Sequence, residues 1–375
     1  MTMRTPTETQ FEALMEEVHS CVVCPRMNGS QRVLGRGCGR LDSPILIIGE
    51  APGRLGADTS SLPFHGDKAG ENFETLLEQV GLSRYDCFIT NAALCNPKDE
   101  KGNNSTPNKY ELGNCSNFLK RQIDLVNPRI VVTLGGQSLN ALRLIEEHNI
   151  DLSDGVRKKW NWYGRVLIPL YHPGQRAMIH RSFINQLVDY QFVAETFRRM
   201  TQGKKVSSKQ KPSSAPVSAI ARELIQSCGE VSYFALHKLF YLVECEHYRR
   251  YSERITTSYI VRQKEGPYVT ELNIKKIKKA LTELEIWTQN DRLMLGLNPQ
   301  SFSFLDENQN QNTLDEKIRG TVDAVAKKYS TFSDARLKHA AYVTAPMRQI
   351  LRREKNQREN MFNAPLDFSA IKAAG

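Results

Sequence analysis

No stretch of this chain is apolar for long enough to cross a bilayer, and its first residues lack the apolar core of a signal peptide. The expected location is the cytoplasm. No segment of the chain repeats. No second C-x2-C knuckle accompanies Cys21 and Cys24, although structural zinc sites usually have two. Acid is missing from Gly155 to Val188. There Arg157, Lys158, Lys159, Arg165, Arg176 and Arg181 gather around Trp160, Trp162 and Tyr163. Cations beside stackable rings suit a nucleic-acid strand; a solvated loop with its rings packed on the core is the competing reading.

The 375 residues suffice for two domains. A net charge of +10 points to an anionic partner, with nucleic acid first. The excess is uneven. Residues 1–200 carry 23 Lys and Arg against 22 Asp and Glu, or +1, while residues 201–375 carry 28 against 19, or +9. Basicity alone therefore does not make the first half a DNA binder. The eight cysteines of a cytoplasmic chain read as free thiols or metal ligands rather than disulfides.

Ile45-Leu46-Ile47-Ile48 has the pattern of a strand buried on both faces of a parallel sheet. Gly49 ends it and Glu50 follows. Pro52 and Gly53 then hold the turn rigid and clear of side chains. Cys87 to Asn91, Arg129 to Gly136 and Gly164 to Gly174 repeat the design. Helix-period stretches lie at 69–80, 114–126, 137–148 and 181–199, and residues 1–20 form an amphipathic helix with Phe11, Leu14, Met15 and Val18 on one face. The fold class is α/β: a four-stranded parallel sheet flanked by helices. Right-handed crossovers bring Glu50, Asn91, Gly135 and His172 to one rim, at the edge where such sheets bind ligands.

Gly203 to Ala215 is Lys-, Ser- and Pro-rich, a linker composition. The expected division is a first domain at 1–200, a flexible linker at 201–216, a smaller mainly helical domain at 217–347 and a charged, poorly ordered tail at 348–375. Helices are expected at 232–248, 271–286, 314–329 and 333–340, with a loop at 300–313.

Cys21 and Cys24 are followed by Cys95, just past a strand, and Cys115, at the start of a helix. Four thiolates can enclose a tetrahedral zinc or a 4Fe–4S cluster. Four unrelated buried thiols is the alternative, and Cys38 is the rival ligand.

Several motifs occur in one order: C-x2-C-P, the Gly49-Glu50-Ala51-Pro52-Gly53 loop, Pro63-Phe64-His65-Gly66 followed by Ala69-Gly70, Thr90-Asn91, Cys95 and Cys115, Leu134-Gly135 and His172-Pro173. Together they closely resemble the iron–sulfur class, family 4, of the uracil-DNA glycosylase superfamily, over about residues 15–200. The resemblance implies a 4Fe–4S cluster on Cys21, Cys24, Cys95 and Cys115. It also implies DNA as substrate, with a flipped base held at the rim. Glu50 and His172 would be catalytic. His172 would donate a hydrogen bond near O2 of the departing pyrimidine, and Glu50 would position water or stabilise the sugar cation. Asn91 would read uracil bidentately, because O4 accepts and N3–H donates. Phe64 would stack on the base. Gly49 and Ala51 complete the base-binding set. Gln175, Arg176, Met178 and Arg181 would contact DNA. The chain departs from the family pattern at His65, in the longer Gly53–Leu62 segment and at Gly174. Each change touches the base pocket or the strand-insertion loop as read from sequence.

In the second half Leu236-His237-Lys238-Leu239-Phe240-Tyr241, His247-Tyr248-Arg249-Arg250-Tyr251, Gly266-Pro267, Leu314 to Tyr329 and Tyr342-Val343-Thr344-Ala345-Pro346 resemble the Panacea (SocA-like) domain. That resemblance implies docking of a protein partner and a defence or regulatory setting; DNA tethering by the +9 charge is the rival. The leading expectation is a monofunctional uracil-DNA glycosylase. A non-catalytic glycosylase-like sensor of altered DNA and a zinc-stabilised interaction protein are the alternatives.

Overall fold

The computed structural model describes residues 5–201, 215–298 and 314–372. Two compact units result, Met1–Val206 and Ser207–Gly375. Apart from Ala215, the linker stretch at 203–215 lies outside the described residues, as does the loop expected at 300–313.

The first unit runs α1 (Pro6–Ser20), β1 (Ile45–Gly49), the one-turn α2 (Ala57–Ser60), α3 (Lys68–Gln79), β2 (Cys87–Asn91) and α4 (Lys109–Val126). It continues through β3 (Ile130–Leu134), α5 (Gly136–Leu142), the one-turn α6 (Leu152–Gly155), β4 (Trp160–Trp162), β5 (Arg165–Leu170) and α7 (Phe183–Thr201). The strand order is β2-β1-β3-β5-β4. β1, β2, β3 and β5 pair in parallel, and the first three are buried at every position. Alternate residues of β1 serve opposite cores. Leu46 and Ile48 pack with Phe11, Leu14 and Ile123, while Ile45 and Ile47 pack with Phe73, Leu76 and Val193.

The fifth strand was not expected. β4 folds back antiparallel on β5 through Tyr163 and Gly164, both in the left-handed region at φ +50° and +68°. Trp162 is buried and its indole N–H donates to the Glu146 carbonyl at 2.9 Å. The Tyr163 ring lies 4.9 Å from the Arg165 guanidinium. The acid-poor stretch is thus in part a structural hairpin, and of its three rings only Trp160 is exposed. α4 starts earlier than its periodicity suggests, because Asn108 and Glu111 form a reciprocal capping box. α5 ends at Leu142, short of the expected 148.

The second unit is α8 (Val217–Cys228), β6 (Val231–Ser232), α9 (Tyr233–Tyr251), β7 (Ile260–Gln263), β8 (Gly266–Val269), α10 (Ile274–Ala280), β9 (Leu284–Gln289), β10 (Arg292–Leu297), α11 (Glu316–Tyr329), α12 (Asp334–Tyr342) and α13 (Ala345–Gln357). It is mainly helical, but a three-stranded sheet of order β6-β10-β9 and a β7-β8 hairpin accompany the helices. The helix expected at 271–286 is α10 alone; β9 then turns into β10 through Asn290 and Asp291, both left-handed at φ +49° and +58°. The expected loose tail is also corrected. α13 buries Ile350, and Met361, Ala364, Leu366 and Phe368 beyond it join the core of this unit. Phe368 meets Tyr241 edge-on at 5.9 Å, and the Arg254 guanidinium sits 4.4 Å from the Phe368 ring.

Candidate active site

Parallel pairing sets Gly49 beside Asn91 at the carboxyl ends of β1 and β2. Next along the rim, Gly135 N–H donates to Leu170 O at 2.8 Å, two residues before His172. A cavity of about 230 Å³ opens here, lined by Glu50, Ala51, Phe64, Asp67, Asn91 and His172 among others. Residues far apart in the chain therefore meet as the topology requires. Gly49 belongs to the same construction, since a Cβ there would stand 2.6 Å from the Phe64 ring and would also strike Asn91 Oδ1.

Asn91 is 2% exposed, and its Nδ2 makes no hydrogen bond within the protein. A buried donor left so costs roughly 1–3 kcal/mol. On a cavity wall, it marks a place for an acceptor. His172 is held in one tautomer: Gly174 N–H donates to Nδ1 at 3.0 Å, which puts the neutral ring's proton on Nε2. Burial holds the His172 pKa below its ordinary value, against the opposing pull of Asp67. The ring is therefore neutral near pH 7 and presents an N–H. Asn72 Nδ2 donates to Pro173 O at 2.8 Å and Gln186 Nε2 to His172 O at 3.4 Å, fixing the turn from α3 and α7. Burial raises the Glu50 pKa, and a hydrogen bond with Thr106 opposes the rise.

Phe64 adopts φ +50°, a strained conformation for a bulky residue. Arg84 secures it by donating to its carbonyl at 2.6 Å, and Phe73 stacks on its ring at 4.8 Å. The His172 ring lies 5.6 Å away. His65 does not line the cavity; its Nδ1 stands 3.7 Å from Glu74 Oε1. That departure from the family pattern alters the packing behind Phe64, not the pocket. Gly174 is explained too, because a Cβ there would meet His172 Nδ1 at 2.8 Å. The longer Gly53–Leu62 segment folds into α2 and buries Leu62.

Residues 36–193 match the family described as the uracil DNA glycosylase superfamily, and residues 236–344 match the antitoxin SocA-like, Panacea domain. The chain is 33% identical to the type-4 uracil-DNA glycosylase of Thermotoga maritima over 168 residues, 44% of this chain and 82% of that protein. It is 34% identical to the type-4 uracil-DNA glycosylase of Saccharolobus solfataricus over 188 residues, 48% of this chain and 83% of that protein. The chain belongs to the type-4 uracil-DNA glycosylases. A type-5 uracil-DNA glycosylase of Thermus thermophilus is 29% identical over 160 residues, 35% of this chain and 71% of that protein.

Four polar residues of this cavity escaped the sequence reading: Asp67, Asn96, Asn104 and Ser105. Asp67 caps α3 through Gly70 N–H at 2.9 Å, and Gly53 and Gly56 leave room for its Oδ2. Asn96 Nδ2 donates to Pro52 O at 2.5 Å and to Asn104 Oδ1 at 2.9 Å, closing the 96–106 loop onto the glycine-rich turn. These residues lie in aperiodic polar loops. The one available signal was Asn96 directly behind Cys95.

Beyond Gly174, Gln175 and Arg176 are exposed and Met178 is half-buried. Ile179, which the sequence reading passed over, is 84% exposed on the same turn. Arg181 instead forks onto the buried Asp189 carboxylate at 2.8 and 2.5 Å. Its guanidinium is engaged within the fold.

The four cysteines come from the turn that follows α1, the segment after β2, and α4. Cys115, Cys21 and Cys24 add to a pKa rise at Cys95, to about 12, that is caused chiefly by burial. Cys24 and Cys21 likewise add to the rise at Cys115, to about 11. The thiols are thus mutual electrostatic neighbours. Cys38, pushed to about 12 by burial, is influenced by Gly35 and Arg84 and by none of the four. Among the described residues no three His, Cys, Asp or Glu side chains close on a single ion. Thiols of a four-iron cluster surround a cube, which needs wider spacing than one ion does. Thiolate charges brought this close would repel one another, and iron ions between them would relieve that repulsion.

Proposed function

We propose that this protein hydrolyses the N-glycosidic bond of uracil in DNA and leaves an abasic site. The observation that carries the reading is the meeting of Glu50, Phe64, Asn91 and His172 around one cavity at the sheet rim. A base must leave the stack to reach it. Phe64, backed by Phe73, offers a stacking face. Asn91 donates to O4 and accepts from N3–H, whereas cytosine presents the reverse pattern. His172 Nε2–H faces the charge that develops near O2 as the pyrimidine leaves. Glu50, ionised, orients water or stabilises the oxocarbenium-like sugar. Gln175, Arg176 and Met178 contact the duplex around the vacated stack. Arg181 shapes that turn through Asp189.

Cys21, Cys24, Cys95 and Cys115 are the residues that would hold a 4Fe–4S cluster. When bound, the cluster supplies a covalent cross-link between three segments. The second unit is read as a protein-docking module in a defence or regulatory setting, by analogy with its family.

The test is incubation of uracil-containing oligonucleotides with the protein, followed by hot alkali. Breaks at uracil are expected, and Asn91→Ala and His172→Ala should each suppress them. Tight binding without breaks at any base tested would make the protein a sensor instead.

A further inference from the structure

Two residues after Cys24, Arg26 joins parts of the first unit that are distant in sequence. Its Nε and Nη2 donate to Glu111 at 2.9 and 2.6 Å. Its Nη1 donates to Ser105 Oγ and its Nη2 to the Thr106 carbonyl, both at 3.2 Å. Glu111 is itself fixed: it accepts from Asn108 N–H at 2.8 Å and returns its own N–H to Asn108 Oδ1 at 2.9 Å. It is buried, and it lies one helical turn before Cys115. On the other side, Ser105 lines the cavity and Thr106 hydrogen-bonds Glu50. A planar fork with five donors can satisfy a helix carboxylate and a loop at once; an ammonium reaches fewer partners in fixed geometry.

We propose that Arg26 is a positioning residue for Glu50, acting through Ser105 and Thr106. It couples the C-x2-C turn and the Cys115 helix to the wall of the base cavity. An ion pair serving helix stability alone would need Glu111 and nothing further. The two additional bonds to the 105–106 loop carry the inference. What Glu50 does rests on the glycosylase reading, but the tie itself does not.

The experiment uses the full-length protein with its iron, as wild type, Arg26→Ala, Arg26→Lys, Thr106→Val and the Arg26→Ala/Thr106→Val double variant. Amide hydrogen exchange read by mass spectrometry should show residues 103–108 exchanging about tenfold faster in Arg26→Ala, with β1 and β2 unchanged. On a uracil oligonucleotide, kcat should fall about 30-fold with KM within about threefold, because Phe64, Asn91 and His172 still hold the base. Arg26→Lys should recover only part of the loss. Adding Arg26→Ala to Thr106→Val should cost less than about twofold more, as expected of residues acting in series. Unchanged exchange over 103–108, a loss confined to KM, or full additivity of the double variant would each overturn the proposal. If Arg26→Ala loses its visible cluster absorbance, Arg26→Lys, alone and combined with Thr106→Val, supplies the same comparisons. A wild type that cleaves no base defeats the glycosylase reading alone, and the exchange measurement still decides the tie.

Discussion

Asn91 and His172 face the same cavity with different kinds of constraint. His172 is locked by a backbone donor at Nδ1. Asn91 is constrained by burial, with its Oδ1 close to where a Gly49 Cβ would stand. Replacing Nδ2 by an oxygen in Asn91→Asp should set a carboxylate against uracil O4 and lower kcat/KM by about 100-fold or more, measured by single-turnover cleavage. Acidity gives a second expectation at this scale. On the proposed mechanism Glu50 works ionised and its pKa is raised, whereas His172 works neutral and its pKa is lowered. Both lose function as pH falls. The acid limb of kcat/KM should therefore lie above the ordinary glutamate value of about 4.3. A kcat/KM that holds steady or rises as pH falls below that value would contradict both assignments.

At the scale of the element, the rim was legible because its strands are buried on both faces and so appear as unbroken apolar runs. What the reading missed had no period to detect. Ile274 to Ala280 is helical, but Leu284 to Gln289 is a strand without alternation, and a short window blends the two. Met361, Ala364, Leu366 and Phe368 anchor an irregular segment whose neighbours are charged, so composition suggested a tail. Phe368→Ala should therefore cost roughly 3–5 kcal/mol in chemical denaturation, where a loose tail would show no change. Gly49→Ala makes the matching test of the rim. Its methyl group must displace Phe64 or Asn91, so cleavage should fall about 100-fold with the fold retained by circular dichroism.

At the scale of the whole molecule, charge and thiols are divided unequally. The second half holds +9 of the +10, yet the base cavity belongs to the first unit. If that charge holds DNA, deleting residues 207–375 should weaken the salt dependence of binding while leaving cleavage of short oligonucleotides intact. The four-cysteine site predicts brown protein with about four irons per chain, measured by absorbance and iron assay. Cys24→Ala should abolish the colour and lower the melting temperature of the first unit.

The amide that grips the inner nitrogen of His172 belongs to Gly174, and it has a lasting consequence. Side chains around a pocket can be exchanged one at a time, but a main-chain N–H persists through every substitution except proline. On the proposed mechanism, the Nε2–H that meets a departing base is thus inherited with the bend itself, for as long as the imidazole is kept.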